Sequence, residues 1–196
     1  MSLIDIPDGQ LAAVVTYLEM HDRPAIDIPH SSLRLERAQL NPAAYRSLFT
    51  LIGAPWLWFS RLLMEDAALA AFLDNPAVEL FEVCDGDAVV GMVELDGREA
   101  GACELSFVGL ISELSGQGHG RWLLADALSR AWSNHGVTRV HVHTCTLDHP
   151  AALGAYRRAG FIAVARKIET FIDPRLAGIL PRDTAPQVPL IRSPSS

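Results

Sequence analysis

The run Ser115-Gly116-Gln117-Gly118-His119-Gly120-Arg121 sets three glycines between an apolar strand-like segment and an amphipathic helix. Before it, Gly101 to Leu110 has the composition of a strand. After it, Leu123, Leu124, Ala127, Leu128 and Ala131 recur at helical spacing from Gly118 to Asn134, and Gly136 stands where a helix C-cap belongs. The first turn of a helix has N–H groups without partners and a partial positive charge, and glycine lets a phosphate come close to the backbone. Arg121 adds a full charge. A tight strand-to-helix turn also needs glycine for purely steric reasons, so the loop alone leaves both readings open. No Gly-Lys-Ser or Gly-Lys-Thr follows, which argues against a P-loop.

Working outward towards the N-terminus, Val78 to Cys84 and Ala88 to Leu95 flank Asp85 and Gly86 as a hairpin, so three strands run as a meander into the glycine loop. That meander argues against a dinucleotide fold, which would place a parallel strand there. Further back, Glu65 to Leu73 has helical spacing and stops at Asn75-Pro76. Asn41-Pro42 is an N-cap with proline at the first helical position, opening a helix to about Ile52. Leu11 to Leu18 and Leu33 to Arg37 read as strands that could pair with each other. On the other side, Thr138 to Cys145 is a strand, Pro150 to Arg158 a short helix closed by Gly160, and Phe161 to Phe171 a last strand. Strand, helix and strand joined by short turns imply a parallel crossover. The expected fold class is therefore α/β of the α+β kind, a central mixed, mostly antiparallel sheet flanked by helices.

Composition limits what such a fold can do. The 196 residues suit one domain, and 49% hydrophobic with 20% charged residues reads as globular. A formal charge of −7 argues against general binding to nucleic acid or anionic lipid and for a basic, amine-bearing substrate. The three cysteines, Cys84, Cys103 and Cys145, have neither disulfide nor zinc spacing. No signal-like start or membrane-length apolar run is present, so a cytoplasmic protein is expected.

The loop resembles the signature of the GNAT acetyltransferase family, with Gly118 and Gly120 at its glycines. Ala152, Leu153, Tyr156 and Gly160-Phe161 resemble the family's later motif. Trp56 to Arg61 and Thr144 to Ala152 are similar to a bacterial branch. The resemblance implies an N-acetyltransferase domain at 33–173, with 1–32 an N-terminal extension adding a strand and 174–196 an irregular tail. It implies acetyl-CoA as cosubstrate, with Gly116, Gln117, Gly118, His119, Gly120 and Arg121 around its pyrophosphate. Val108, Gly109 and Leu110 would serve the pantetheine arm, and His149 stands at a further cofactor-contact position. Two residues depart from the pattern: Ser115 stands where Gln or Arg is usual, and His149 stands where Asn is common. Gln117 could make up for the first.

Acetylating an amine requires a proton acceptor, because amines are mostly protonated near neutral pH. Glu104 matches the family's general-base glutamate, with Glu94 in reserve, and Tyr156 matches the tyrosine that protonates the departing thiolate. His141 and His143 share a strand face but lack a third ligand, so no metal is expected. Cys145 as an acetyl carrier would need a nearby base, and packing is the simpler reading. Trp56, Trp58 and Phe59 are read as core or dimer contacts. The implied activity is direct acetyl transfer to an amine in a ternary complex, with a non-catalytic acyl-CoA sensor or scaffold of the same fold as the alternative. No nucleic acid or membrane partner is expected, and a homodimer is left open.

Overall fold

A computed structural model describes residues 3–191. Seven strands form one sheet: β1 (Gln10–Met20), β2 (Arg34–Ala38), β3 (Val78–Asp85), β4 (Ala88–Asp96), β5 (Ala102–Leu110), β6 (Arg139–Cys145) and β7 (Ile162–Ile172). The helices are α1 (Pro42–Gly53), α2 (Asp66–Leu73), α3 (His119–Ala131) and α4 (Ala152–Arg158). In space the strands run β2-β3-β4-β5-β6-β1-β7. Only β5 and β6 pair in parallel, and every other neighbour is antiparallel.

Local chemistry sets the boundaries. Asn41 Oδ1 accepts from the Ala44 N–H at 2.9 Å and Pro42 opens α1, as the Asn-Pro pair implies. The β3–β4 turn falls one residue later than the sequence suggests, because Asp85 pairs with Ala88 and leaves Gly86 and Asp87 as the loop. Gly86 has φ +58°, which suits a residue without Cβ.

The two sheet faces carry separate cores. On one, α1 and α2 bury Tyr45, Phe49, Ile52 and Leu69 against Leu80 and Met92. On the other, α3 buries Leu123, Ala127 and Leu128 against Val93, Leu95, Leu105 and Val140. Each fully buried large aliphatic side chain contributes about 1.5–3 kcal/mol, so both helical layers are held mainly by this burial.

One expectation for the chain ends needs correcting. β1 does not pair with β2; it lies between β6 and β7, antiparallel to both. A strand with alternate residues buried on both faces, Val15 and Leu18 among them, is stabilised more in the sheet interior than in an edge hairpin. The described part of the C-terminal segment, to residue 191, is irregular and is anchored by one buried side chain. Arg175 is 3% exposed, paired with Asp173 at 2.7 Å, and donates to the carbonyls of Thr184, Ala185 and Val188. That guanidinium replaces a regular hydrogen-bond ladder, and it seats Leu180 and Ala185 against Leu57.

Candidate active site

The cleft begins where the parallel pair of strands comes apart. β5 and β6 are paired only at Ala102–Arg139, Cys103–Val140 and Glu104–His141. Beyond Glu104, β5 runs on to Leu110 with no described strand paired on that side. The cause lies in the β4–β5 ladder, where Leu95 faces Leu105 and Glu94 faces Phe107, leaving Ser106 as an extra residue. A bulge of this kind bends and twists its strand, here away from β6. Ser106 lines the opening, and its Oγ is buried without a hydrogen-bond partner. A buried hydroxyl left unpaired is costly, and a ligand in the cleft would relieve it.

The opening widens into one cleft of about 610 Å3 with two arms. One arm is bounded by Val108, Gly109, Leu110 and the glycine loop, and faced by Ala152 and Tyr156 of α4. The loop glycines are open, since a Cβ added at Gly116, Gly118 or Gly120 would meet nothing within 4 Å. Gly116 and Gly118 have φ of +77° and +88°, so here glycine is required by backbone conformation as well as by access. Gly118 is the N-cap of α3 and no side chain caps that end. Donors are therefore free at the positive end of a 13-residue helix. Arg121 lines the same arm. At Gly109 the constraint is packing: an added Cβ would lie 2.7 Å from Ile52 Cγ2 and 3.2 Å from the Trp58 ring.

The other arm is bounded by Val15 of β1, His143 and Cys145 of β6, Glu169 and Phe171 of β7, and Phe59 before the turn Ser60–Leu63. At the apex between the arms, His143 Nδ1 is 3.0 Å from Glu104 Oε1. A carboxylate can only accept, so the proton sits on Nδ1. The Glu104 hydrogen bond raises the His143 pKa above the usual imidazole value, and the same bond holds the Glu104 carboxyl below its usual range. His143 lines the cleft with a half-exposed side chain, whereas Glu104 stands behind it.

Two contacts brace the walls of the cleft. Asp148 accepts from Trp58 Nε1 at 3.1 Å, Thr144 Oγ1 at 2.7 Å and the Cys145 N–H at 2.8 Å, which fixes the β6–α4 turn to the segment after α1. His149 Nδ1 accepts from the Ala151 N–H at 3.1 Å, so in the neutral ring Nε2 carries the proton and donates to Ser115 Oγ at 3.0 Å.

The Acetyltransferase (GNAT) family profile matches residues 45–161, more than half of the sequence. The chain belongs to the GNAT acetyltransferase family. Solved structures agree on the fold. A GCN5-related N-acetyltransferase from Sphaerobacter thermophilus is 18% identical with a TM-score of 0.57 over 82% of this chain and 51% of its own. One from Kribbella flavida is 19% identical, with a TM-score of 0.53 over 87% and 63%. An acetyltransferase from Bacillus subtilis, solved in complex with CoA, is 20% identical, with a TM-score of 0.52 over 68% and 78%. This chain thus spans only about half to two thirds of the first two proteins. No curated protein matches the sequence.

Most of the expected site residues of this GNAT domain meet in the cleft: Tyr156, Val108, Gly109, Leu110, Gly116, Gly118, Gly120, Arg121 and His149 all line it. Gln117 and His119 do not. Gln117 Nε2 donates to the Glu113 carbonyl at 2.8 Å and braces the loop from outside, while His119 Nδ1 lies 3.2 Å from Ser31 Oγ. Glu94 is excluded as a proton acceptor because it is fully buried, paired with Arg61 at 2.7 Å and bonded by the Tyr45 hydroxyl. Cys145 lines the cleft, but burial pushes its thiol up to about 11, so it stays protonated and a poor acyl carrier. Trp56, Trp58 and Phe59 are walls of the cleft, with Trp58 also packed against the α1 core. Sequence reading missed Ser106 and considered His143 as a metal ligand, which it rejected. The parity of β6 puts His143 on a face with His141, but only the register brings it to Glu104. Among the described residues no group of three or more His, Cys, Asp and Glu could hold a metal, and no helix is long and apolar enough to cross a membrane.

Proposed function

We propose that this chain transfers an acetyl group from acetyl-CoA to an amine by direct attack, with His143 as the proton acceptor and Glu104 as the residue that positions it. The observation carrying this reading is the His143–Glu104 pair at the apex of the opening, where an arm suited to a phosphate-bearing ligand meets an arm lined with carboxylate. Acetyl-CoA supplies an activated thioester; everything else is done by the chain. The open glycines, the uncapped α3 end and Arg121 receive the pyrophosphate. The unpaired side of β5 from Ser106 to Leu110 offers backbone groups to the pantetheine. Glu104 holds Nδ1–H, which leaves Nε2 of neutral His143 to take the proton from the amine. Tyr156, whose pKa is raised by burial and by Asp148, stays protonated and returns a proton to the leaving sulfur. Glu169 in the acceptor arm favours a cationic substrate.

The Ser115–His149 bond also gives the two departures from the family pattern a joint role. The Ser115 hydroxyl accepts from His149 and so turns its own proton towards the pyrophosphate loop, replacing the donor of a longer side chain. Calorimetry with CoA, followed by a thiol-release assay over a panel of amines, tests the proposal. Micromolar CoA binding with amine-dependent thiol release supports it. Binding without turnover on any amine would leave a sensor instead.

A further inference from the structure

The last strand is bare on both sides. Ten of the eleven residues of β7 are exposed and Phe171 is only partly covered. No described strand pairs with its outer edge. On one face of it Ile168 and Ile172 are 64% and 62% exposed, Val164 at a bulge in the β1–β7 ladder is 53% exposed, and Val14, the partner of Ile168 in β1, is 40% exposed. An edge strand of this length, apolar and free of proline, is a template for another strand, and monomeric proteins usually blunt such edges with charge, proline or a covering loop. Here the only charges are Arg166, Lys167 and Glu169.

Those charges select an occupant. Two copies of β7 related by a two-fold axis perpendicular to the sheet must pair antiparallel, with the same faces in common. The axis therefore passes beside one residue that opposes itself. Centred on Ile168, the strand sets Lys167 against Glu169 twice, Ile168 against Ile168, Arg166 against Thr170, and Ala165 against Phe171, up to the bulge at Val164. Lys167 and Glu169 then meet opposite charge, and Arg166 faces an uncharged threonine. Centring one residue to either side opposes Lys167 to Lys167 or Glu169 to Glu169, which is destabilising.

We infer that this chain forms a symmetric homodimer through antiparallel pairing of β7 with β7, in the register centred on Ile168, joining the two sheets into one. The seam borders the cleft, because Glu169 lines the acceptor arm and in this register meets the partner's Lys167. The dimer thereby screens part of the charge that draws a cationic acceptor. The inference depends on the bare strand and its charges and not on the proposed chemistry, so inactivity on every amine would leave it untouched.

Sedimentation equilibrium on the full chain tests it directly. The wild type is expected at twice the 21.3 kDa chain mass. Ile168→Lys, at an exposed position, should keep the circular dichroism spectrum and run as a monomer. Lys167→Glu alone should dissociate the dimer, and adding Glu169→Lys should restore it. Residues directly opposed in an antiparallel pair have Cα atoms about 4.5–5.5 Å apart, within disulfide reach. Ile168→Cys should therefore cross-link to itself on mild oxidation, whereas Arg166→Cys should not. A wild-type monomer, including one that instead captures a different protein, overturns the inference. So does a dimer that survives Ile168→Lys, or charge reversal at Lys167 that has no effect or is not rescued.

Discussion

The two arms of the cleft are built in opposite ways. The arm proposed for the cofactor comes from one short stretch, Val108 to Arg121, with α4 closing over it. Its working groups are mostly backbone: glycines at positive φ, an uncapped helix end and an unpaired strand side. The acceptor arm draws single side chains from β1, β6, β7 and the segment after α1, and none of these elements is adjacent to another in sequence except through long connections. Backbone chemistry set by a contiguous segment can be reused for one unchanging ligand. A pocket made of separate side chains can vary with the acceptor while the first arm is left alone.

If the arms are separate in this sense, a change in one should spare the other. The largest expected effect is from His143→Ala, which should lower turnover by about 100- to 10,000-fold, the usual contribution of a positioned proton acceptor, with CoA affinity unchanged by calorimetry. A parallel loss of CoA binding would show that the arms are not independent. Gly118→Val should do the reverse. A β-branched residue at φ +88° costs about 1–2 kcal/mol of stability, visible in denaturant unfolding. It also blocks donors to a charged ligand, weakening CoA by roughly 100-fold.

The Ser115–His149 bond within the first arm offers a finer test. Ser115→Ala and His149→Ala should each weaken CoA by about five- to tenfold. The double variant should be little worse than either, because both remove one hydrogen-bonded unit. Acetyl-pantetheine, which lacks the pyrophosphate, should bind all three variants like the wild type. Additive losses, or equal losses with the fragment, would reject the Ser115–His149 relay.

The smallest effect is a shift in pH dependence. His143 must be neutral to accept a proton, and the Glu104 carboxylate raises its pKa, so wild-type kcat/KM should rise only as pH passes above the ordinary imidazole range. Glu104→Gln keeps an oxygen for Nδ1–H but removes the charge, so the acid limb should move to lower pH. A Glu104 that accepted the proton itself would instead give a variant inactive near neutrality and partly recovering at high pH. Stability should follow the same pair. The Glu104 contribution is lost as pH falls through its depressed pKa, and the His143 contribution as pH rises through its raised one. Wild type and variant should thus differ most in denaturant midpoint between those two limits.

Much of this molecule follows from its sequence, and the reason is range. Asn41-Pro42, the Gly86 turn, the spacing of Leu123 to Ala131 and the glycine loop act within a few residues, so these elements and the loop between β5 and α3 can be read directly. Tertiary structure alone decided that β1 leaves β2 for a place between β6 and β7, since both placements satisfy the same apolar pattern. It decided that Arg175 anchors the tail, because a buried guanidinium is tolerated only where carboxylate and carbonyls converge. It also decided that His143 meets Glu104. Their side chains lie on neighbouring parallel strands 39 positions apart, and a shift of one residue in that register would turn the histidine to the opposite face of the sheet.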